Sequence, residues 1–88
     1  MPTYLVACQL KAGRDYADLH AAIKAYGTWA HPLEPLWAVV TEQGSAEIRD
    51  NLARHMDPGD GLLIVRSADH AAWRNIKPDT SAWLNERL

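Results

Sequence analysis

The sequence has one cysteine, no phenylalanine and no long apolar run. Cys8 cannot form a disulfide within the chain, and its place in an apolar segment is typical of a small buried residue in a reducing compartment. No run approaches the roughly 18 apolar residues that a membrane-spanning helix needs, and the first residues do not have the composition of a signal peptide. We therefore expect a cytoplasmic protein with no membrane partner.

Positive charge is also scarce. The 88 residues include nine Lys and Arg against eleven Asp and Glu, which gives a formal net charge of −2. Without a basic field over the whole domain, nucleic-acid binding requires a local patch. The hydrophobic fraction of 48%, which includes four Trp, excludes a disordered chain. A chain of this length forms one domain with a small core, so we expect it to associate with itself.

The apolar pattern predicts four strands. They span residues 3–10, 28–31, 36–41 and 62–65. The first and third are nearly continuous apolar runs, which is typical of central strands covered on both faces. The second is followed by Pro32 and Pro35, which lack the backbone donor that a central strand needs, so it belongs at a sheet edge.

Helical periodicity predicts two helices between these strands. The apolar positions of the first are Tyr16, Leu19, Ile23 and Tyr26, and those of the second are Ile48, Leu52 and Met56. Asp15 and Ser45 are expected as N-caps, and Asp18 as a carboxylate near the first helix start. Gly27 is expected to end the first helix, because glycine tolerates a positive φ angle.

This order of elements predicts an α+β fold, a ferredoxin-like βαββαβ sandwich with a mainly antiparallel sheet and a C-terminal extension. We assign residues 1–67 to the ferredoxin-like domain and residues 68–88 to a C-terminal tail. In the tail, residues 78–80 predict a helix start and residues 71–73 a short extended segment. Two tryptophans, Trp73 and Trp83, are too apolar to remain in water. The tail is therefore expected to dock on the core or on a second copy of the chain.

Several of these segments resemble one known group of proteins. They are Tyr4–Leu10, Asp15–Lys24, Gly27–His31, Leu36–Val40 and, more weakly, Ser81–Leu84. In these segments the chain resembles small stand-alone bacterial proteins of the SinR family, which are relatives of the second CRISPR-associated protein, the small subunit of the spacer-integration complex. The resemblance covers roughly residues 3–66.

The resemblance implies a ferredoxin-like homodimer whose two sheets face each other, with a C-terminal segment that can add to the partner subunit. In family members that act as nucleases, an aspartate at the end of the first strand serves a metal site at the dimer axis. The matching residue here is Gln9. A neutral amide binds Mg²⁺ far more weakly than a carboxylate does. We therefore assign no catalytic residue and no metal ligand, and we expect no cofactor.

Other candidate site residues also have ordinary structural interpretations. Gln9 can line a dimer groove, or its amide can bond to nearby backbone at the strand end. The candidate phosphate contacts are Lys11, Arg14, Arg66 and Arg74, although isolated surface cations are usually solvated groups. The four tryptophans, Trp29, Trp37, Trp73 and Trp83, are expected in the core or at the dimer interface, which is the usual place for Trp in a small domain. The alternative for Trp29 and Trp37 is stacking on nucleic-acid bases.

The histidines do not have the spacing of a zinc site. His20 lies beside the apolar stripe of its helix and is expected to be partly buried there. His31 is held extended because a proline follows it, and it can line a groove or, as is more usual for an edge residue, face solvent. Asp15 and Asp18 are more typical of helix capping than of metal binding.

Three functions are consistent with these patterns. The leading hypothesis is a non-catalytic homodimer that acts as an adaptor or as a scaffold with weak affinity for nucleic acid. The alternative is a metal-dependent nuclease of the same family that uses Mg²⁺ and other carboxylates, such as Asp15 or Asp60. The second alternative is a dimer that senses a small molecule.

Overall fold

The chain alternates strands and helices in the predicted order. A computed structural model describes residues 1–68 and 70–88. Within them lie β1 (Thr3–Gln9), α1 (Ala17–Lys24), β2 (Thr28–Leu33), β3 (Leu36–Val40), α2 (Ser45–Ala53), β4 (Gly61–Arg66) and α3 (Pro78–Arg87). None of the helices in these residues is both long and apolar enough to cross a membrane.

The strands form one antiparallel sheet in the order β2-β3-β1-β4. This order confirms the predicted ferredoxin-like α+β fold, with β1 and β3 in the centre. Strand β2 lies at an edge, where Pro32 removes no hydrogen bond from a second neighbour. The pairing of β2 with β3 shifts register between Ala30 and Leu33, on either side of that proline.

One face of the sheet packs against α1 and α2 to form the core. Val6 and Val39 project from the two central strands and are fully buried. The helices contribute their apolar stripes, and the fully buried members are Leu19, Ile23, Ile48 and Leu52. Each stripe was visible as a helical period in the sequence, because side chains three and four positions apart lie on one side of a helix.

The second face of the sheet is covered in part by the tail. Leu5 and Leu36 lie on this face and border a cavity of about 300 Å³ with Trp73 and Leu84 of the tail. Helix α3 packs beside β2, and the Thr3 hydroxyl donates a hydrogen bond to the Arg87 carbonyl at 3.0 Å. The tail thus docks on the sheet of its own chain.

The helix starts differ from the predicted caps by one residue. Helix α1 begins at Ala17 after the N-cap Tyr16, although the Asp15 carboxylate still accepts the Ala17 N–H at 2.9 Å. In α2 the N-cap is Gly44, whose N–H donates to the Glu47 carboxylate at 3.0 Å, so the predicted cap Ser45 is the first helical residue. Asp15, one position before its cap, and Glu47, three positions after its cap, thus each accept a backbone N–H at a helix start.

Two further predictions concern the ends of elements. Gly27 adopts a φ of +94° just after α1, which is the conformation expected of the residue that turns the chain out of a helix. Residues 71–73 form no strand, so the short extended segment predicted there is wrong. They run as irregular chain across the second face, where Trp73 contributes to the tail cavity.

Candidate functional site

A polar network joins the two loops at the carboxyl end of β1. These loops meet because β1 and β4 are antiparallel neighbours with Gln9 opposite Gly61. The Arg14 guanidinium lies 3.0 Å from one Asp57 carboxylate oxygen, and the Lys11 ammonium lies 3.8 Å from the other. The structure therefore brings Lys11 and Arg14 together, and Asp57 offsets part of their positive charge.

Tyr16 and Asp60 form the inner part of this network. The Tyr16 hydroxyl donates to the Asp60 carboxylate at 2.9 Å and accepts the Lys11 N–H at 3.0 Å. The same carboxylate accepts the Asp57 N–H at 2.9 Å. Burial raises the pKa of Tyr16, the Asp60 charge raises it further, and the Lys11 N–H opposes the shift. Asp60 thus holds the two loops together through donors of the chain itself.

The sequence did not reveal the link between Tyr16 and Asp60. Tyr16 was assigned to the apolar stripe of α1, and it is indeed buried. A buried phenol needs a hydrogen-bond partner, so the need for one was foreseeable. Its identity was not, because Asp60 lies 44 positions away along the chain.

The other two candidate phosphate contacts lie elsewhere. Arg66 pairs with Tyr4 in the sheet, whereas Gln9 pairs with Gly61 at the opposite end. At about 3.3 Å per residue, these two ends of the β1–β4 ladder are roughly 16 Å apart. Arg74 is exposed in the tail. The four predicted cations therefore do not form one continuous patch.

Gln9 lies on the second face of the sheet, exposed to solvent. A Cβ atom on its partner Gly61 would come within 3.2 Å of the Gln9 Cβ and 3.3 Å of its amide oxygen. The glycine therefore leaves the room that the Gln9 side chain occupies. Gln9 and Leu63 border the same shallow depression, of about 260 Å³.

An uncharged surface surrounds Gln9, and we call Ala7, Gln9, Leu63 and Val65 the open patch. The Leu63 side chain is 60% exposed and Val65 is 46% exposed, although both belong to a strand. The paired positions on the second face of the described strands carry no charged side chain. These residues are Thr3, Leu5, Ala7, Gln9, Thr28, Ala30, Leu33, Leu36, Ala38, Val40, Gly61, Leu63 and Val65. The tail covers the part over β2 and β3 and leaves the open patch to solvent.

A second concave surface lies on the other side of the Lys11 loop, and we call it the histidine cleft. It has a volume of about 460 Å³ and separates the β1–α1 loop from the β2–β3 hairpin. Trp37 forms its floor and is 5% exposed. The His31 ring stacks on Trp37 with centroids 3.7 Å apart and planes 9° apart, and the His20 ring lies at 5.4 Å.

His20 has the predicted environment, whereas the environment of His31 was predicted only in part. His20 is half-buried beside its helix stripe, as expected. His31 is exposed, as expected of an edge residue, but one ring nitrogen lies 3.0 Å from the Glu34 carbonyl and its face is against Trp37. The fold thus fixes the orientation of the His31 ring, for which the sequence left open a solvent-facing or a groove-lining position.

The remaining tryptophans differ in exposure. Trp29 is 36% exposed, with the Lys24 ammonium 5.0 Å from its ring centroid. Trp73 is half-buried, and its indole N–H donates to the Ser81 hydroxyl at 2.8 Å. Trp83 is also half-buried, with the Arg87 guanidinium 4.8 Å from its ring. Each ring therefore has a packing or cation–π partner within the chain.

Cys8 is buried between the histidine cleft and the open patch. Burial raises the pKa of its thiol, and the charge of Asp60 raises it further. A neutral, buried thiol is a poor nucleophile. Among residues 1–68 and 70–88, no group of three or more His, Cys, Asp or Glu side chains could hold a metal ion.

The chain matches no protein-family model, no curated protein and no solved structure. Its function must therefore be argued from its own surfaces. Two surfaces stand out: the open patch, which is uncharged and exposes Leu63 and Val65, and the histidine cleft, which is concave and lined by charges of both signs.

Proposed function

We propose that this protein is a homodimeric, non-catalytic module related to the second CRISPR-associated protein, which acts as an adaptor or as a scaffold for nucleic acid. The observation that carries this proposal is the open patch. Leu63 and Val65 are 60% and 46% exposed on a face from which charge is absent among the described strand positions. Exposed apolar surface of this kind is typical of a protein–protein contact.

A second copy of the chain is the partner that best fits the patch. In a two-fold dimer the same patch contacts itself, so its own chemistry must be self-complementary. An uncharged patch meets this condition because no like charges are brought together. Strand β4 also lies at the sheet edge, where its outer side pairs with no other strand of residues 1–68 and 70–88 and can pair with another chain. The patch has four residues, against roughly 20 to 30 on each side of a standard interface, so we expect a weak dimer.

Gln9 supports the non-catalytic part of the proposal. Its place in the open patch would put the Gln9 side chains of both copies at or near the dimer interface. An amide has both a donor and an acceptor, so two of them can pair with each other. They cannot supply the negative charge on which Mg²⁺ binding depends.

Lys11 and Arg14 support a weak affinity for nucleic acid. They lie at the same end of β1 as Gln9, so a dimer through the open patch carries two such pairs. Each cation keeps donors that Asp57 does not use, since an ammonium has three and a guanidinium five. The partial neutralisation by Asp57 limits the strength of any phosphate contact, and added salt weakens it further.

Sedimentation velocity of the full chain between about 1 and 200 μM tests the dimer. We expect the wild-type protein to shift from monomer to dimer within this range. Leu63→Glu should stay monomeric, because burying an unpaired carboxylate at the interface costs several kcal/mol. Ala21→Glu adds the same charge on an exposed position of α1 and should leave the dimer intact. A wild-type monomer at every concentration, or a Leu63→Glu dimer, would contradict the proposal.

A further inference from the structure

The charges that line the histidine cleft balance each other. Lys11, Arg14 and Asp15 lie on the side formed by the β1–α1 loop, and Glu34 lies on the opposite side in the β2–β3 hairpin. All four residues are exposed, although Lys11 and Arg14 also contact Asp57 and Asp15 accepts the Ala17 N–H. The cleft volume of about 460 Å³ falls within the range typical of small-molecule sites.

The body of the cleft is aromatic and held in place by hydrogen bonds. Tyr16 and Trp37 are buried in its floor. The Cys8 N–H donates to the Pro35 carbonyl at 2.8 Å, which ties the hairpin to β1, and the Lys11 N–H donates to Tyr16 at 3.0 Å. Because both sides are fixed before any ligand arrives, binding requires little ordering of the protein.

Charge balance decides which class of ligand fits. Lys11 and Arg14 have the Asp57 carboxylate within 3.8 Å and 3.0 Å, and Asp60 lies behind them in the same network. A phosphate dianion would bring two negative charges to this partly neutralised pair of cations, whereas a carboxylate brings one. A ligand with one anionic end and one cationic end, and no net charge, meets an opposite charge on each side of the cleft.

We propose that the histidine cleft binds a small zwitterion of the free α-amino acid class. The ligand carboxylate lies on Arg14 and Lys11, the ammonium group faces Glu34, and an apolar or aromatic side chain packs on the floor beside Trp37. The carboxylate and the ammonium group each need an opposite charge of the cleft, so neither a simple amine nor a simple acid satisfies both. This function goes beyond the proposed scaffold role and does not depend on the dimer, since no residue of the open patch lines the cleft.

Titration of the ¹⁵N-labelled full chain by NMR tests the proposal. The probes are glycine, L-leucine, L-phenylalanine and L-tryptophan, each up to about 10 mM. We expect saturable shifts of backbone amides in residues 11–17 and 31–37 with at least one apolar probe. Tryptamine lacks the carboxylate of tryptophan, and indole-3-propionate lacks its ammonium group. Each should bind at least about tenfold more weakly than tryptophan, because it loses a charge-assisted hydrogen bond.

Variants identify the charged contacts. Glu34→Gln and Lys11→Met should each lower the affinity for the best-binding probe by about tenfold. Glu86→Gln and Arg49→Met remove exposed charges outside the cleft and should leave its affinity unchanged. Circular dichroism confirms that each variant is folded.

Three results would overturn the proposal. They are the absence of shifts with every amino acid, shifts that Glu34→Gln leaves unchanged, and stronger binding of inorganic phosphate or adenosine monophosphate than of any zwitterion. The last result would show an anion site in place of a zwitterion site. Failure of the dimer experiment would not affect any of these readouts.

Discussion

At the scale of single residues, the groups around Asp60 determine the role of its carboxylate. The sequence offered it as a metal ligand for a nuclease. The structure surrounds it with the Tyr16 hydroxyl and the Asp57 N–H, so a metal ion would have to displace donors that hold two loops together. Its charge also acts on two neighbours, because it raises the pKa of both Cys8 and Tyr16.

The raised pKa values of Cys8 and Tyr16 predict that the folded state loses stability at alkaline pH. The unfolded chain releases the Cys8 proton near the ordinary thiol pKa of 9.0, whereas the folded chain retains it, mainly because burial disfavours the thiolate. Below that pH the contribution to stability is fully present, and above it stability falls until the folded thiol also ionises. Tyr16 acts in the same direction at higher pH, starting from its ordinary value of 10.0.

Urea unfolding between about pH 7.5 and 10.5 measures this effect. Cys8→Ala should be less stable than wild type at neutral pH but should lose stability less steeply above pH 9. Val6→Ala truncates a buried neighbour on the same strand face that does not titrate, so its stability should fall with pH as steeply as in wild type. Equal slopes for wild type and Cys8→Ala would show that the thiol makes no contribution.

At the scale of elements, the tail has the largest effect on what the sheet presents. Its helix was predicted from Pro78 onward, and α3 does begin there. Leu84 is the side chain that anchors it, at 3% exposure. Helix α3 packs beside β2, where Ala30 is buried and Leu33 is still 50% exposed, whereas Leu63 and Val65 are exposed at the β4 edge.

Truncation of the Leu84 side chain should weaken the packing of the tail on the sheet. We expect Leu84→Ala to lower the free energy of unfolding by about 2 to 5 kcal/mol, because it leaves a cavity against the sheet. Ala82→Gly, at an exposed position of the same helix, should cost no more than about 1 kcal/mol. Chemical denaturation followed by tryptophan fluorescence measures both. A Leu84→Ala loss no larger than that of Ala82→Gly would show that α3 adds little to the stability of the fold.

At the scale of the whole molecule, the charged side chains of the described residues form no continuous basic surface. Lys11 and Arg14 lie at one end of the sheet with Asp57 between them, and Arg66 lies at the other. The net charge of −2 gives no long-range attraction for a polyanion. A scaffold of this kind would bind nucleic acid weakly and would need other partners for a stable complex.

We therefore expect no cleavage of RNA or DNA oligonucleotides with Mg²⁺ or Mn²⁺. Gln9→Asp restores the carboxylate that the family resemblance implies, so divalent ions should raise the melting temperature of this variant and leave that of wild type unchanged. Metal-dependent cleavage by wild type that is lost in Asp15→Ala or Asp60→Ala would instead favour the nuclease alternative. A parallel purification from cells without the gene controls for contaminating nucleases.

The elements were predictable because the signals for them are local. The apolar period of α1 identifies Leu19 and Ile23 as core residues, and Pro32 is enough to place β2 at an edge. The caps were displaced by one residue because Asp15 and Glu47 can each satisfy a helix start from more than one position. The short strand predicted at residues 71–73 was wrong, since an apolar residue such as Trp73 can be covered without any strand pairing.

The sequence by itself determined the order of the elements, the composition of the core, and the presence of an amide at the end of β1. Only the tertiary structure decided which side chains meet. In the fold, His20 and His31 lie against Trp37, Tyr16 donates a hydrogen bond to Asp60, and Arg66 lies at the opposite end of the sheet from Lys11. The physical reason is that periodicity and propensity act over a few residues, whereas these contacts depend on strand order and register, which are set by packing between distant segments.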